Sequence, residues 1–184
     1  MFQKVNMASE SIDSFMRSVL VVNTDGETPI AAKGGDFVTP VGIATSSVYN
    51  TPDENVLLVK APTANTETNI LVLDPVKVAE ATNNDLVYRM GVRTLGLDVK
   101  AGEIVAARQL ALNDQFLLDE AHFAAKPAKG EKFALTANQS ILTKVDGSAP
   151  ATGFLFTVED VRTITEGIGL GRQTAAYLVR VTRI

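Results

Sequence analysis

Short apolar runs separated by turn-forming residues set the rhythm of this 184-residue chain. Val19-Leu20-Val21-Val22 reads as a strand, Asp25-Gly26 as a turn, 29–32 as a weak edge strand, and Gly34-Gly35 as a turn before a strand over 37–44. Val56-Leu57-Leu58-Val59 and Ile70-Leu71-Val72-Leu73 are continuous apolar runs bounded by Pro52, Pro62 and Pro75, the pattern of two buried strands joined by an exposed loop. Alternation at Leu86, Tyr88 and Met90, resumed at Val92, predicts further strands, with Asn83-Asn84-Asp85 supplying the turn. A turn-plus-strand phrase then occurs twice, as Lys100-Ala101-Gly102-Glu103 before IVAARQLAL and as Ala128-Lys129-Gly130-Glu131 before KFALTANQSIL. Gly102 and Gly130 fall where a turn residue of positive φ costs least, and each Glu reads as the first solvent-facing residue of its strand. Asp146-Gly147 marks another turn, 154–158 and 162–166 read as strands, and 174–184 alternates to the last residue. A terminal strand of that length is expected inside a sheet, at its closing edge, or paired with a neighbouring subunit.

Helical spacing is confined to single turns. Ile12, Phe15 and Met16 allow one near 9–17, and 76–81 and 158–161 allow others. Many short strands with Gly, Pro, Asn and Asp between them predict a mainly β protein, a β-sandwich or β-barrel of short antiparallel strands with one or two short helices. The expected organisation is an N-terminal arm over 1–17 and a β-rich body over 18–184, the body being either one unit or two, 18–85 and 86–184.

Composition supports a folded body, with 46% hydrophobic and 21% charged residues. The net charge of −4 and the absence of any Lys/Arg cluster remove the electrostatic footprint of phosphate-backbone binding, so no direct nucleic-acid partner is expected. With no Cys there is no disulfide staple, thiol nucleophile or thiolate metal site. No apolar run approaches the roughly 18 to 20 residues of a spanning helix, so no membrane partner is expected. The opening MFQKVNMASESIDSFM does not read as a secretion signal.

The chemical inventory is thin. Asp119-Glu120-Ala121-His122 spells the DEAH string that coordinates magnesium in helicases, but no Gly-Lys pair exists to form a phosphate cradle, and the segment reads as a surface loop. His122 is the only histidine, which rules out a Ser-His-Asp triad built around a second His or a multi-histidine metal site within one protomer; in a loop it reads as polar surface. Asp114, Asp119 and Glu120 supply carboxylates without a fixed separation. Gly167-Ile168-Gly169-Leu170-Gly171 leads into an alternating strand, where a dinucleotide loop would open a helix, so it reads as a hairpin connection. Asn138-Gln139-Ser140 matches a glycosylation acceptor by chance. No enzyme, cofactor or metal is expected. The loops 45–55, rich in Ser, Thr and Asn, and 62–69, with Glu67 as its one charge, are candidate protein contacts on a β scaffold.

From Leu86 onward the residues resemble a family. YRMGVRTLGLDVKAGEIVAARQLALNDQFLLDEAHF, KGEKFALTANQSIL and the closing TEGIGLGRQTAAYLVRVTRI are similar to the head decoration (capsid cement) or minor structural proteins of tailed bacteriophages. The resemblance covers the C-terminal half and rests on a rhythm of turns. It implies a small β-rich protein, commonly oligomeric, that binds the outside of an assembled head and strengthens the shell without catalysis. The implied partners are the major capsid protein and further copies of the chain. The implied location is the capsid surface of the virion, after synthesis in the host cytoplasm. Contact is expected through loops and the N-terminal arm, with Phe15, Met16 and Tyr49 as apolar anchors. The alternative is a carbohydrate- or ligand-binding β module of a tail or fibre, against which stands the lack of Trp.

Overall fold

In the computed structural model, residues 2–7, 16–45, 56–75, 98–147, 152–166 and 172–184 are described. Thirteen strands carry them: β1 (Phe2–Asn6), β2 (Met16–Val21), β3 (Ala32–Lys33), β4 (Phe37–Ile43), β5 (Leu57–Lys60), β6 (Leu71–Leu73), β7 (Asp98–Val99), β8 (Ile104–Gln109), β9 (Gln115–Leu118), β10 (Lys132–Leu135), β11 (Leu142–Lys144), β12 (Leu155–Glu166) and β13 (Arg172–Arg183). The chain is mainly β and mainly antiparallel, as its alternation predicts. Five strands close a barrel in the order β2-β5-β4-β6-β8, and six form a sheet in the order β1-β9-β13-β12-β10-β11. Within the barrel only β2 and β5 run parallel.

The barrel is narrow enough for its own side chains to fill. Val19, Val21, Val38, Val59, Leu71, Leu73, Val105 and Ala107 share one buried cluster, which their inward alternation places inside the wall. The neighbouring residues Phe37, Ile70 and Val72 point the other way and join Phe116, Phe156, Tyr177 and the other large side chains of the sheet in a second cluster. Phe37 meets Phe156 with ring centroids 5.2 Å apart and Phe116 at 6.2 Å. Strand β6 and the start of β4 are therefore buried on both faces, which explains the unbroken run Ile70-Leu71-Val72-Leu73.

The doubled Gly-Glu phrase proves to be one of four equivalent turns. In Lys33–Asp36, Lys100–Glu103, Ala111–Asp114 and Ala128–Glu131 the fourth residue's N–H donates to the first carbonyl, at 3.0 to 3.2 Å. Its carboxylate in return accepts the first residue's N–H, at 2.8 to 2.9 Å. The third residue has positive φ in every case: Gly35 at 98°, Gly102 at 82°, Asn113 at 69° and Gly130 at 85°. Each turn leads directly into a strand, β4, β8, β9 or β10. The acid thus folds back to cap the turn, where the sequence alone suggests a solvent-facing strand residue.

Several other expectations change. Residues 158–161 are strand and not helix, because β12 runs unbroken through them, opposite β13. The register shifts between Val158 and Asp160, and Glu159 in that bulge reaches the side chains of Gln115 and Arg180. The separate strands expected at 154–158 and 162–166 are one. Met16 and Arg17 begin β2, while 8–15, 76–81 and the strands expected around 86–92 lie outside the described residues. Phe2–Asn6 is an edge strand antiparallel to β9. The only helical element among the described residues is a 3-10 turn, Glu120–His122. The C-terminal strand sits inside the sheet between β9 and β12, with both partners from its own chain.

Barrel and sheet are joined by more than the aromatic cluster. The buried Arg108 donates from Nε to Asp74 at 2.6 Å, and Lys4 of β1 approaches the same carboxylate at 3.4 Å. On the opposite flank Asn138 N–H donates to the Pro62 carbonyl at 2.6 Å, so the 62–69 loop lies against the sheet. Gly153 is the tightest point of that contact. A Cβ there would stand 2.5 Å from the Asn65 carbonyl oxygen and 2.7 Å from Thr66 Cα, whereas one at Gly102 would meet nothing within 4 Å. Both glycines have positive φ, so Gly102→Ala should cost only the left-handed backbone term of about 1–2 kcal/mol. Gly153→Ala adds a backbone collision and should cost at least about 3 kcal/mol in all. Urea unfolding midpoints of the two variants measure the difference; equal losses would contradict this docking.

Candidate functional site

Two places carry chemistry worth weighing: the surroundings of His122 and an open groove on the barrel wall. The DEAH string forms the first. His122 N–H donates to the Asp119 carbonyl, which closes the 3-10 turn and brings the ring back over the Asp119 carboxylate. Nδ1 lies 2.6 Å from Asp119 Oδ1, while Nε2 lies 3.0 Å from the Gly34 carbonyl and 3.8 Å from Asp36 Oδ1. The ring is 1% exposed, which corrects the expectation of polar surface. Gly35 makes room for it, since a Cβ there would stand 2.7 Å from Nε2.

A carbonyl only accepts, so the contact with Gly34 is made by an Nε2 that donates, and Nδ1 faces the Asp119 carboxylate. Burial raises the Asp119 carboxyl, but the hydrogen bond and charge of His122 outweigh it and hold the group well below the usual carboxylate range. Asp36 moves the other way: burial pushes it up, against the Lys33 N–H and the His122 charge. Beside them the buried Tyr177 hydroxyl donates to Glu120 at 3.4 Å, and burial together with the Glu120 charge pushes it up. His122 therefore ties the turn before β4 to the segment after β9, with no ring nitrogen left for a substrate. No cluster of three or more His, Asp or Glu side chains suited to a metal ion occurs among the described residues.

The groove lies on the outer wall of the barrel. Leu20 and Leu58 alternate with interior residues and so face outward, where they join Val22, Ala44 and Val56 in a separate apolar cluster. Over them opens a groove of about 840 Å³ lined also by Gly26, Glu27, Pro29 and Ile43. Its lip is apolar and uncovered: Ile43 is 62% exposed, and nearby Val41 and Ile104 are exposed too. Ile104 pairs with Leu20, and Gly42 with Leu58, so this face runs across four strands, β8, β2, β5 and β4. A smaller groove of about 560 Å³ between the 62–69 loop and β11 has a mixed lining that includes Thr63, Asn65, Leu135, Thr143, Lys144 and Asp146.

Of the three anchors expected from sequence, Met16 is half-buried at the start of β2 and alternates onto the face that carries Leu20. Phe15 and Tyr49 lie outside the described residues, as does most of the 45–55 loop. The groove itself was not anticipated. Its signal was present in the loss of alternation at Val19-Leu20-Val21-Val22, a run apolar on both faces although only one faces the barrel interior. Comparison of the chain with protein-family models, curated proteins and solved structures gives no match.

The opposed shifts around His122 give a pH test. The depressed Asp119 contributes stability in full above its unfolded value near pH 4, and loses it as pH falls toward the native value. The raised Asp36 contributes in the reverse sense, below its unfolded value, with loss as pH rises through the native one. Melting temperature followed from pH 7 to pH 2.5 should therefore show wild type losing its advantage over Asp119→Asn on acidification. It should gain relative to Asp36→Asn over the same range. Parallel curves for all three proteins would contradict the arrangement.

Proposed function

We propose that this chain is a structural protein of a phage virion that binds the outer surface of the assembled head and reinforces the shell. The sequence support is the resemblance of the C-terminal half to head decoration proteins. The observation that carries a binding role is the groove on the barrel, with Ile43 62% exposed at its lip beside the buried Leu20 and Leu58. A large exposed apolar residue at the mouth of such a groove suits a contact surface. The body behind it is rigid, because the barrel's strands close on each other and share β4 and β6 with the sheet's core. On this reading the partner is the major capsid protein, and repeated copies on a lattice turn modest individual contacts into firm attachment. Met16 belongs to the same face and remains a proposed anchor, together with Phe15 and Tyr49.

The test is addition of the purified chain to heads that lack it, followed by electron microscopy and by heating the particles. Saturable density at regular lattice positions and a raised temperature of head rupture are expected. A chain that stays in the supernatant at micromolar concentration, or coats heads without lattice order, would sink the proposal.

A further inference from the structure

The groove has a chemistry that narrows what can occupy it. Its floor is aliphatic, from Leu20, Leu58 and Pro29, and its lip is Ile43. On the rim stands Glu27, exposed, whose backbone N–H donates to Asp25 but whose carboxylate has no partner among the described residues. The nearby Lys60 is turned to the Thr24 carbonyl, at 3.4 Å, and does not neutralise it. An aliphatic slot edged by one free carboxylate is complementary to an apolar side chain followed or preceded by a basic one. Access suits a peptide backbone, since Gly26 and Gly102 line the groove and a Cβ at Gly102 or Gly42 would meet nothing within 4 Å. At the groove floor Leu20 of β2 and Leu58 of β5 are each paired on both sides, so recognition there falls to side chains and not to β-strand addition. Among the described residues no aromatic ring lines the groove to stack on a sugar, and the free carboxylate repels phosphate.

We propose that this groove takes an extended segment of the shell protein, which inserts one large aliphatic or aromatic side chain between Leu20, Ile43 and Leu58 and sets a lysine or arginine against Glu27. This rests on the decoration reading for the identity of the partner but not for the chemistry of the slot, and the experiment separates the two. In the first arm the labelled chain is titrated with a capped peptide of alternating isoleucine and lysine, and with its isoleucine–glutamate counterpart, while backbone amide shifts are followed. The lysine peptide should move the amides of 26–28, 43, 58 and 102, and the glutamate peptide should not. Glu27→Gln should weaken the lysine peptide about threefold, the scale of a solvent-exposed ion pair. Gly42→Gln, whose new side chain would share a face with Leu58, should abolish the response; unchanged melting temperatures show that both variants are folded. Shifts scattered over the surface, equal shifts with both peptides, or an intact response in Gly42→Gln would overturn the proposal.

In the second arm the same variants are added to bare heads. Weaker head binding by both supports the shell segment as occupant. Wild-type binding that neither variant alters overturns the groove as the docking site while leaving decoration standing. Peptide shifts in the groove without any head binding overturn the shell protein as occupant, and with it the decoration reading.

Discussion

The alternation of Phe37 and Val38 on β4 is the constraint from which the rest of the architecture follows. Val38 points into the barrel and Phe37 out of it, into the rings of Phe116 and Phe156. One strand thereby serves two cores, and β6 does the same with Leu71 and Leu73 inside and Ile70 and Val72 outside. A barrel wall shared in this way cannot slip by one residue, because the shift would exchange both sets at once. It also fixes the barrel against the sheet without a hinge. The Lys33–Asp36 turn that delivers Phe37 is itself held by the sheet's His122, so the shared strand is anchored at its start as well as along its length.

The same geometry decides which wall stays open. The wall at Phe37, Ile70 and Val72 is covered by the sheet, and the flank carrying Leu20 and Leu58 closes over with its own small cluster, with Ile43 exposed at the far end of β4. A barrel with one dry side and one half-dry side is asymmetric by construction. Its stability is carried by the first, which leaves the second able to vary for contact.

Much of the strand pattern was legible in the sequence because alternation and turn residues are local signals. The strands near 19–22, 37–44, 56–59 and 70–73, and the positive-φ glycines at 102 and 130, all follow from that. What was not legible depended on long-range pairing. The Val158-Glu159-Asp160-Val161 stretch allows a helical turn, and only the register against β13 converts it to a bulged strand. The lone His122 looks like loop surface until the Gly34 carbonyl, distant in sequence, is brought onto its ring. The four capped turns were half visible: two copies share Gly-Glu, but Gly35-Asp36 and Asn113-Asp114 satisfy the same geometry with different letters, since either Asn or Gly reaches positive φ and either acid reaches back. The groove left only the trace of an outward apolar Leu20, because its floor is assembled from two strands that are distant in the chain and parallel in space.

An acidic rim on an aliphatic groove suits attachment that has to be late and reversible in its first steps. Apolar surface alone would invite self-association, which a free carboxylate at the rim opposes by keeping like faces apart. Two copies meeting groove to groove would bring Glu27 toward Glu27, a repulsion that only a basic partner relieves. The charge that limits self-pairing is thus the same charge that would select the partner. On the proposed reading Glu27 and Ile43 belong to one device, in which specificity would come from the carboxylate and binding strength from the apolar lip.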